Sequence, residues 1–458
     1  MGYPNLLRCM LDQHQAQRFD DGAIARHQDR RLRQLLRHVW AKSRFYRRYY
    51  QEHGVDLSGD RADQVKIQDL PPIDKRLVMD NFDDLVCDPA LSRDRLEQFI
   101  GQPENRGRAY RGRWQVIHTS GSSGTIGIFV YGPNDWDMLR AIIMARVTRT
   151  RFRTRRTKLA YIGAVDGNYA GISLVRGAPG LLFQQAHLSV NAPLAAVVDQ
   201  VNAFQPEILS GYSSGVHLLA VEQIQGRIAI RPRAVFCSAD PLTTVFRENI
   251  KQAFRVDPVN YYAASESIAM AAQCSVRHGL HLFSDWHCFE VLDRDLRPAG
   301  PGQSGALVMT NLYNYTQPLI RYRTHDELVL DPEPCLCGSR YPTIRNIAGR
   351  EEEFLWFRKP DGALEFIHPI VLIEFYAYGL VKFQFVQPQR NSLLMRAIVR
   401  GDRDRALQAI RRRMHAILFE KRLEGVVDFQ VQLVDDIGID PRSEKFKLIL
   451  SLPRPPEE

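Results

Sequence analysis

The sequence predicts an α/β protein with a large N-terminal domain and a small C-terminal α+β domain. Three observations predict it. In the middle of the 458 residues, short apolar segments alternate with segments of helical periodicity, which is typical of a mostly parallel sheet. From Phe289 to Val329, strand-like segments are separated by turn residues, which favours antiparallel pairing. From Phe354 onward, two strands, a helix and a strand form a unit of ordinary domain size.

We expect the N-terminal domain to span residues 1–350 and the C-terminal domain to span residues 351–458. Apolar residues from Leu32 to Trp40 recur at helical spacing and predict a helix from Ile24 to Tyr50, with Gly54 as its stop. A second amphipathic helix is predicted from Asn134 to Arg149.

The alternating middle region contains two buried strands with two helices between them. The predicted elements are, in chain order, the strand Leu159–Gly163, the helices Leu194–Phe204 and Val216–Ile224, and the strand Ala234–Cys237. The antiparallel region that follows contains strands at Phe289–Leu292, Gly305–Thr310 and Leu319–Tyr322. The C-terminal domain contains strands at Phe383–Val386, Leu393–Val399 and Val426–Leu433, and a helix at Asp402–Lys421.

Composition excludes several classes of protein. The chain is 45% hydrophobic and 25% charged, and no apolar run is long enough for a membrane span. The odd number of cysteines, seven, favours a reduced, cytoplasmic compartment, and the N-terminus does not resemble a signal peptide. The net charge of +9 is spread along the chain without a nucleic-acid-binding motif, so a solvated basic surface is favoured over nucleic-acid binding. Whether the chain forms a homodimer stays open.

The segment from His118 to Thr125 follows an apolar strand, Trp114–Ile117, and carries five hydroxyl side chains and two glycines from Thr119 to Thr125. Glycines let the backbone approach a polyanion closely, and hydroxyl and amide groups then donate to phosphate oxygens. Such clusters also occur in ordinary loops. The segment contains no lysine, so it is not the loop of a P-loop NTPase.

Four further motifs follow in order, Tyr261–Glu266, Ile320–Glu327, Ile347–Glu353 and Asp440–Lys447. With the hydroxyl-rich loop, this set resembles the adenylate-forming superfamily of acyl ligases. It is most similar to the branch of phenylacetate–coenzyme A ligase and its capsule-biosynthesis-type relatives, and the resemblance covers nearly the whole chain. Taken alone, each motif is also consistent with an ordinary structural role: a surface acid, a core aromatic or a solvated run of charges.

The resemblance implies an ATP- and magnesium-dependent ligase with a mobile C-terminal lid. It would activate a carboxylic acid, expected to be aromatic or cyclic, to an acyl-adenylate and transfer the acyl group to a thiol, most simply coenzyme A. Two alternatives stay open: transfer to an amine, and a catalytically silent scaffold or nucleic-acid-binding protein of the same fold.

The resemblance also assigns roles to residues. Thr119 and the loop after it would hold the β- and γ-phosphates, together with Ser120, Gly121, Ser122, Ser123, Gly124 and Thr125. Glu266 would bind magnesium, which favours oxygen ligands. Tyr262 would pack on the adenine, and Asp326 and Arg350 would contact the ribose. Lys445 would reach the α-phosphate and the acid from the C-terminal domain, with Lys447 as the alternative.

Residues after the central strands are candidates for the acid pocket, because ligands of α/β sheets bind there. They are Tyr161, Tyr169, Tyr212 and Ser238. The alternative for these residues is ordinary packing. The segment Phe357–Gly362 replaces the glycine-containing loop that lines the path of the thiol in thioester-forming relatives, and this departure keeps an amine acceptor open.

Cys274, His281, Cys335 and Cys337 have the ligand types of a closed structural zinc site, and related ligases carry a similar set in this region. His278 is a rival ligand, and buried free cysteines are the alternative.

Overall fold

A computed structural model describes residues 3–17, 19–119, 127–148, 155–276, 279–293, 295–300, 302–348, 355–367, 371–372, 375, 377–437 and 448–452. The helices are α1 (Tyr3–Ala16), α2 (Asp21–Lys42), α3 (Arg44–Glu52), α4 (Lys75–Asp80), α5 (Phe82–Leu85), α6 (Arg93–Gly101), α7 (Pro133–Ile142), α8 (Ala170–Arg176), α9 (Leu194–Phe204), α10 (Ser213–Ile224), α11 (Thr244–Phe254) and α12 (Arg403–Glu420). Within these ranges, no helix is long and apolar enough to cross a bilayer.

The strands of the described residues form four sheets. They are β1 (Gln115–His118), β2 (Ile128–Tyr131), β3 (Thr157–Gly163), β4 (Phe183–Ser189), β5 (Ile208–Tyr212), β6 (Ala234–Ser238), β7 (Val259–Ala264), β8 (Ser267–Ala272), β9 (Leu280–Leu282), β10 (His287–Leu292), β11 (Ser304–Asn311), β12 (Tyr322–Leu330), β13 (Thr343–Ala348), β14 (Leu355–Arg358), β15 (Leu364–Ile367), β16 (Leu380–Gln389), β17 (Ser392–Val399), β18 (Asp428–Leu433) and β19 (Ile449–Leu450).

One 11-stranded sheet, in the order β10-β11-β12-β13-β9-β8-β7-β6-β5-β3-β4, organises the N-terminal region. Strands β3 to β7 pair in parallel, and the pairs from β7 to β10 are antiparallel. The predicted α/β class and the change to antiparallel pairing are therefore confirmed. The chain runs from β3 to β4 on one side and returns to β5 on the other, so a topological switch point lies between β3 and β5.

The antiparallel half of the sheet curls. Tyr262 on β7 hydrogen-bonds with Asp326 on β12, although three strands separate β7 from β12 in the sheet order. A second apolar cluster, distinct from the main core, fills the inside of this curl; it contains Ala271, Leu280, Leu282, Val291, Leu307, Leu328 and Ile344. The curl brings the ends of β7 and β12 to the same place, which positions the nucleotide-binding candidates described below.

The predicted helix from Ile24 to Tyr50 is two helices, so that prediction was wrong in one respect. Ser43 has an extended backbone between α2 and α3, and its hydroxyl accepts a hydrogen bond from the Tyr46 N–H at 3.3 Å. A serine that caps a new helix in this way competes with continuation of the old one. The second helix does end before Gly54, which has a φ of 73°.

The strand predicted at Leu319–Tyr322 was also wrong, since β12 begins at Tyr322. Arg321 has a φ of 49°, outside the range of a strand. Its guanidinium donates to Glu290 at 2.9 and 3.0 Å and to the carbonyl of Leu70 at 2.6 Å. These buried contacts hold the unusual backbone and set where β12 starts.

The C-terminal region has a four-stranded sheet in the order β18-β17-β16-β19. Helix α12 lies against it through Ala406, Ile410, Met414 and Ile417, all buried. The pattern of two strands, a helix and a strand matches the sequence prediction to within a few residues. The boundary predicted between residues 350 and 351 lies outside the described residues.

Candidate active site

The hydroxyl-rich loop leaves β1 and returns at β2, and its two ends are tied together. The Thr119 N–H donates to the Gly127 carbonyl at 2.8 Å, and the Gly127 N–H donates to the Thr119 hydroxyl at 2.8 Å. The predicted phosphate contacts Ser120, Gly121, Ser122, Ser123, Gly124 and Thr125 lie outside the described residues. The Thr119 hydroxyl, predicted to contact phosphate, accepts at the base of the loop, and its own hydrogen stays available to donate.

The hairpin of β1 and β2 is fixed next to the turn that carries Glu266. The Tyr131 hydroxyl on β2 donates to the Ser265 carbonyl at 2.9 Å, and the rings of Phe129 and Tyr322 meet edge to face with centroids 6.5 Å apart. The Ile128 N–H lies 3.3 Å from the Met79 sulfur on α4. The loop base, the β7–β8 turn and α4 therefore converge on one place.

Glu266 lies at this convergence with two neighbours. The Tyr322 hydroxyl donates to Glu266 Oε1 at 3.0 Å, and Lys75 Nζ lies 3.9 Å from the same oxygen. Burial, followed by the negative charge of Glu266, raises the pKa of Tyr322 well above its usual value, so this hydroxyl stays protonated as a donor. A half-buried carboxylate beside a phosphate-loop base fits the oxygen chemistry that Mg²⁺ requires.

Tyr262 and Asp326 form the second part of the site. The Tyr262 hydroxyl donates to Asp326 Oδ2, and burial with the nearby Asp326 charge raises the pKa of Tyr262. The sequence predicted adenine and ribose contacts for these two residues, and the structure brings them together. Arg350 and Lys445, the other predicted contacts, lie outside the described residues.

The predicted acid-pocket residues gather at the switch point between β3 and β5. Tyr161 and Tyr212 meet edge to face with ring centroids 6.2 Å apart, and Tyr169 packs on His118 at 4.5 Å. All three tyrosines and Ser238 are buried. Beside Ser238, the Asp240 carboxylate accepts hydrogen bonds from the first residues of α10 and therefore caps that helix.

His118 lies between the loop and this pocket and is 2% exposed. Burial lowers its pKa from 6.5 to about 4, so it is neutral in the folded protein near neutral pH. In the unfolded chain it takes up a proton below about pH 6.5, so its contribution is present above that pH and is lost as the pH falls toward 4.

We therefore predict a pH-dependent effect of His118→Gln on stability. The wild type should lose up to about 3 kcal/mol relative to the variant as the pH falls through this window. Urea unfolding of both proteins across the window measures the difference. A gap that stays constant with pH would contradict a neutral, buried His118.

The four predicted metal ligands lie together at the far end of the antiparallel half. The ligand atoms of Cys274, His281, Cys335 and Cys337 are all within 4.8 Å of one another. The Cys274 and Cys335 sulfurs are 3.7 Å apart, and the Cys337 sulfur is 3.4 Å from His281 Nε2. In a tetrahedral zinc site with ordinary bond lengths, two sulfurs lie about 3.8 Å apart, and a sulfur and a nitrogen lie about 3.6 Å apart.

The second nitrogen of His281 is also accounted for. Nδ1 lies 3.2 Å from the Tyr341 carbonyl, which leaves Nε2 directed at the sulfurs, as in a metal-binding histidine. The donor types therefore suit one zinc ion, and two of the six donor separations are close to those of a tetrahedral site. His278, the rival ligand, lies outside the described residues.

Comparison with known proteins shows what the chain is similar to. No family model matches the chain. A phenylacetate-coenzyme A ligase of Thermus thermophilus is 28% identical over 352 residues, which cover 72% of this chain and 71% of that protein. Protein CapK of Staphylococcus aureus is 24% identical over 441 residues, or 91% and 87% of the two chains. A solved structure of 2-hydroxyisobutyryl-CoA ligase with 2-HIB-AMP and CoA has a TM-score of 0.61 at 21% identity, covering 94% of this chain and 90% of that one.

The chain is similar to phenylacetate-coenzyme A ligases and to CapK over most of its length, which supports a phenylacetate–coenzyme A ligase-like branch of the adenylate-forming superfamily. The resemblance and the fold class predicted from the sequence are thereby confirmed. The likeness also supports the predicted class of enzyme, an AMP-forming acid–thiol ligase.

Two residues of this ligase-like site were missed by sequence reasoning. Lys75 was given no role in the site, and Tyr322 was predicted only as the last residue of a strand. Both contact Glu266. Lys75 follows Pro71 and Pro72, a turn that could have indicated a lysine held in place, but nothing in the sequence links it to Glu266.

Proposed function

We propose that this protein uses ATP and Mg²⁺ to convert a carboxylic acid to its acyl-adenylate and then transfers the acyl group to the thiol of coenzyme A. One observation carries the proposal: the Tyr262–Asp326 pair and the Glu266–Tyr322–Lys75 group lie on the same curled sheet end, beside the base of the hydroxyl-rich loop. The candidate adenosine contacts Tyr262 and Asp326 are thus followed by the candidate metal ligand Glu266 and the loop base, in the same order as adenosine and the triphosphate in ATP.

The proposed reaction has two steps. A carboxylate oxygen of the acid attacks the α-phosphorus, the bond from that phosphorus to the bridging oxygen breaks, and pyrophosphate leaves. The coenzyme A thiolate, having lost its proton, then attacks the acyl carbon and AMP leaves. The protein contributes mainly position and charge.

We assign roles as the family resemblance implies them. Tyr262 would pack on the adenine, Asp326 and Arg350 would hold the ribose, and Glu266 would hold Mg²⁺, which neutralises phosphate charge. The loop from Thr119 to Thr125 would enclose the phosphates, with the Thr119 hydroxyl shaping its base. Lys445, delivered by the C-terminal domain of residues 351–458, would neutralise charge at the α-phosphate.

The test is acid-dependent exchange of labelled pyrophosphate into ATP, measured over a panel of aryl and alkyl acids. Exchange with at least one acid is expected. Well-folded protein that exchanges with no acid would count against adenylation. Loss of coenzyme A thiol, measured with the active acid, then identifies the acceptor.

An amide-forming ligase is the second candidate. The segment that stands in place of the thiol-lining loop is the turn between β14 and β15, where the Gly362 N–H donates to the Lys359 carbonyl at 2.9 Å. Gly362 has a φ of 83°, which a side chain would strain. This tight turn favours a different acceptor path. Formation of an amide mass with amines, without loss of coenzyme A thiol, would identify this candidate.

An apolar cavity of about 60 Å³ supports an acid with an apolar group. Leu159, Ser210 and Phe236 line it from β3, β5 and β6. The next residues on the same face of these strands are the predicted pocket residues Tyr161, Tyr212 and Ser238, one repeat or about 6.6 Å further on.

The volume limits what the cavity admits. A cavity of about 150 Å³ holds a benzene molecule, so this one holds only the end of an apolar group. Tyr261, which lines the cavity, also hydrogen-bonds with Ser210 and with the predicted pocket residue Ser238, so the cavity and the predicted pocket are adjacent. We therefore propose an aromatic or cyclic acid whose apolar end points toward β3, β5 and β6.

Val175→Phe is expected to lower kcat/KM for the bulkiest active acid by about 10–200-fold, and to leave the smallest acid unchanged, because the new ring fills the cavity from α8. The exchange assay over the acid panel measures this. Val245→Phe, at a position 64% exposed, is the matched control. An equal loss for all acids would place the cavity outside the acid's path.

We propose a structural zinc ion at Cys274, His281, Cys335 and Cys337, which would tie β8 and β9 to the loop after β12. The four donors and their spacing support it. Zinc there would act in stability and not in the reaction, because all four positions of a tetrahedral ion are filled by the protein.

A further inference from the structure

Lys75 brings a positive charge into the interior of the site. The Lys75 and Glu266 side chains are only 9% and 11% exposed, and the charged atoms are 3.9 Å apart. An ammonium group is costly to bury without partners, so this contact with Glu266 is not a chance surface pair.

The backbone fixes the position of Lys75. Ile73, two residues before it, pairs with Tyr322 like a short parallel strand, with N–H···O distances of 3.0 and 2.8 Å to Arg321 and from Arg323. Lys75 then begins α4, and Met79, one turn later on the same face, contacts the Ile128 N–H at the end of the hydroxyl-rich loop. Lys75 therefore lies beside Glu266, and its helix contacts the strand that follows the hydroxyl-rich loop.

Glu266 Oε1 already has two neighbours, the Tyr322 hydroxyl and the Lys75 ammonium. A divalent cation on this carboxylate would repel an ammonium group at that distance. The hydroxyl-rich loop contains no lysine of its own, while a bound triphosphate would bring four negative charges to its edge.

We propose that Lys75 is a displaceable counter-ion: it holds Glu266 while the site is empty and turns to the terminal phosphates of the nucleotide when the metal takes its place. Metal and nucleotide then favour each other's binding. The metal displaces Lys75 from Glu266 and so frees it for the phosphates, and the nucleotide takes Lys75 away and so frees Glu266 for the metal. Lys75 is thus a positioning residue for the metal and a direct contact for the phosphates. The proposal rests on nucleotide binding at this site, as proposed above.

Lys75→Met removes the charge and keeps most of the length of the side chain. In this variant, binding of a non-hydrolysable ATP analogue should weaken about 5–150-fold, while binding of Mn²⁺ without nucleotide should strengthen. Calorimetric titration measures the first, and electron paramagnetic resonance of Mn²⁺, standing in for Mg²⁺, measures the second. Lys75→Arg should restore nucleotide binding in part. Lys42→Met, at an exposed lysine on α2, is the matched control.

Opposite shifts support the proposal, because a merely structural ion pair would not strengthen metal binding on loss of its lysine. Weakening of both ligands, or no change in either, would overturn it. Both measurements omit the acid, so they are independent of the exchange assay. If wild-type protein binds the analogue but exchanges with no acid, that result counts against the proposed function. The Lys75 measurements then still decide whether Lys75 is a displaceable counter-ion.

Discussion

Glu266→Gln is expected to lower the rate of ATP–pyrophosphate exchange by about 10²–10³-fold, the scale of losing one preorganised electrostatic partner of a transferring phosphoryl group. Glutamine keeps the shape of the side chain and still accepts the hydrogen bond that Tyr322 donates at 3.0 Å. It removes the charge that would hold Mg²⁺. Exchange at saturating acid and several concentrations of Mg²⁺ measures the effect.

Glu327→Gln is the matched control, because Glu327 is an exposed acid on β12 that follows Asp326 directly. It should leave exchange unchanged. Thermal unfolding of both variants checks that the fold survives loss of the Lys75 pair. Exchange by folded Glu266→Gln at the wild-type rate would contradict a metal-binding role for Glu266.

The sequence predicted the elements that local pattern alone decides. Helix α9 was predicted from Leu194 to Phe204 and has those bounds, because apolar periodicity and flanking polar residues agree there. The strands β3 and β6 were predicted within a few residues for the same reason. The break at Ser43 was missed, because the apolar residues of α2 and α3 continue one helical pattern across it and only the serine's hydrogen bond separates them.

Tyr262 and Asp326 were candidates for nucleotide binding because each belongs to a recognisable motif. Tyr262 and Asp326 lie far apart in the chain, and the family resemblance supplied their common role before the curled sheet brought them together. Lys75 belongs to no such motif. Its contact with Glu266 depends on Ile73 pairing beside β12, a long-range contact that periodicity and spacing do not encode.

Thr119 shows a different limit. Its residue type suits a phosphate donor, and the motif assigned it that role. The structure uses the hydroxyl to accept from the Gly127 N–H at 2.8 Å and so to close the loop. A short polar side chain next to a tight loop often bonds to the local backbone, and residue type alone does not distinguish the two uses.

Cys335→Ser is expected to abolish stoichiometric zinc and to destabilise the N-terminal region. Serine is a poor ligand for zinc, and removal of one of four donors leaves three ligands around a position that the fold has closed. Zinc binding contributes about 10–16 kcal/mol to the folding of small zinc domains. In this protein zinc would stabilise only the connection of β8 and β9 to the loop after β12. Elemental analysis after exhaustive dialysis and thermal unfolding measure the two effects.

Cys288→Ser separates zinc loss from the general cost of replacing a cysteine. Cys288 is a free cysteine on β10, outside the four-residue cluster. This variant should keep its zinc and unfold near the wild-type temperature, whereas Cys335→Ser should lose its zinc and unfold well below it. Because a zinc ion whose four positions are filled by the protein would take no part in the reaction, acid-dependent exchange by Cys335→Ser should persist at temperatures where the variant is folded. Wild-type protein that carries no zinc, yet is as stable as after zinc is added, would show that the four residues are only a packed thiol and imidazole cluster.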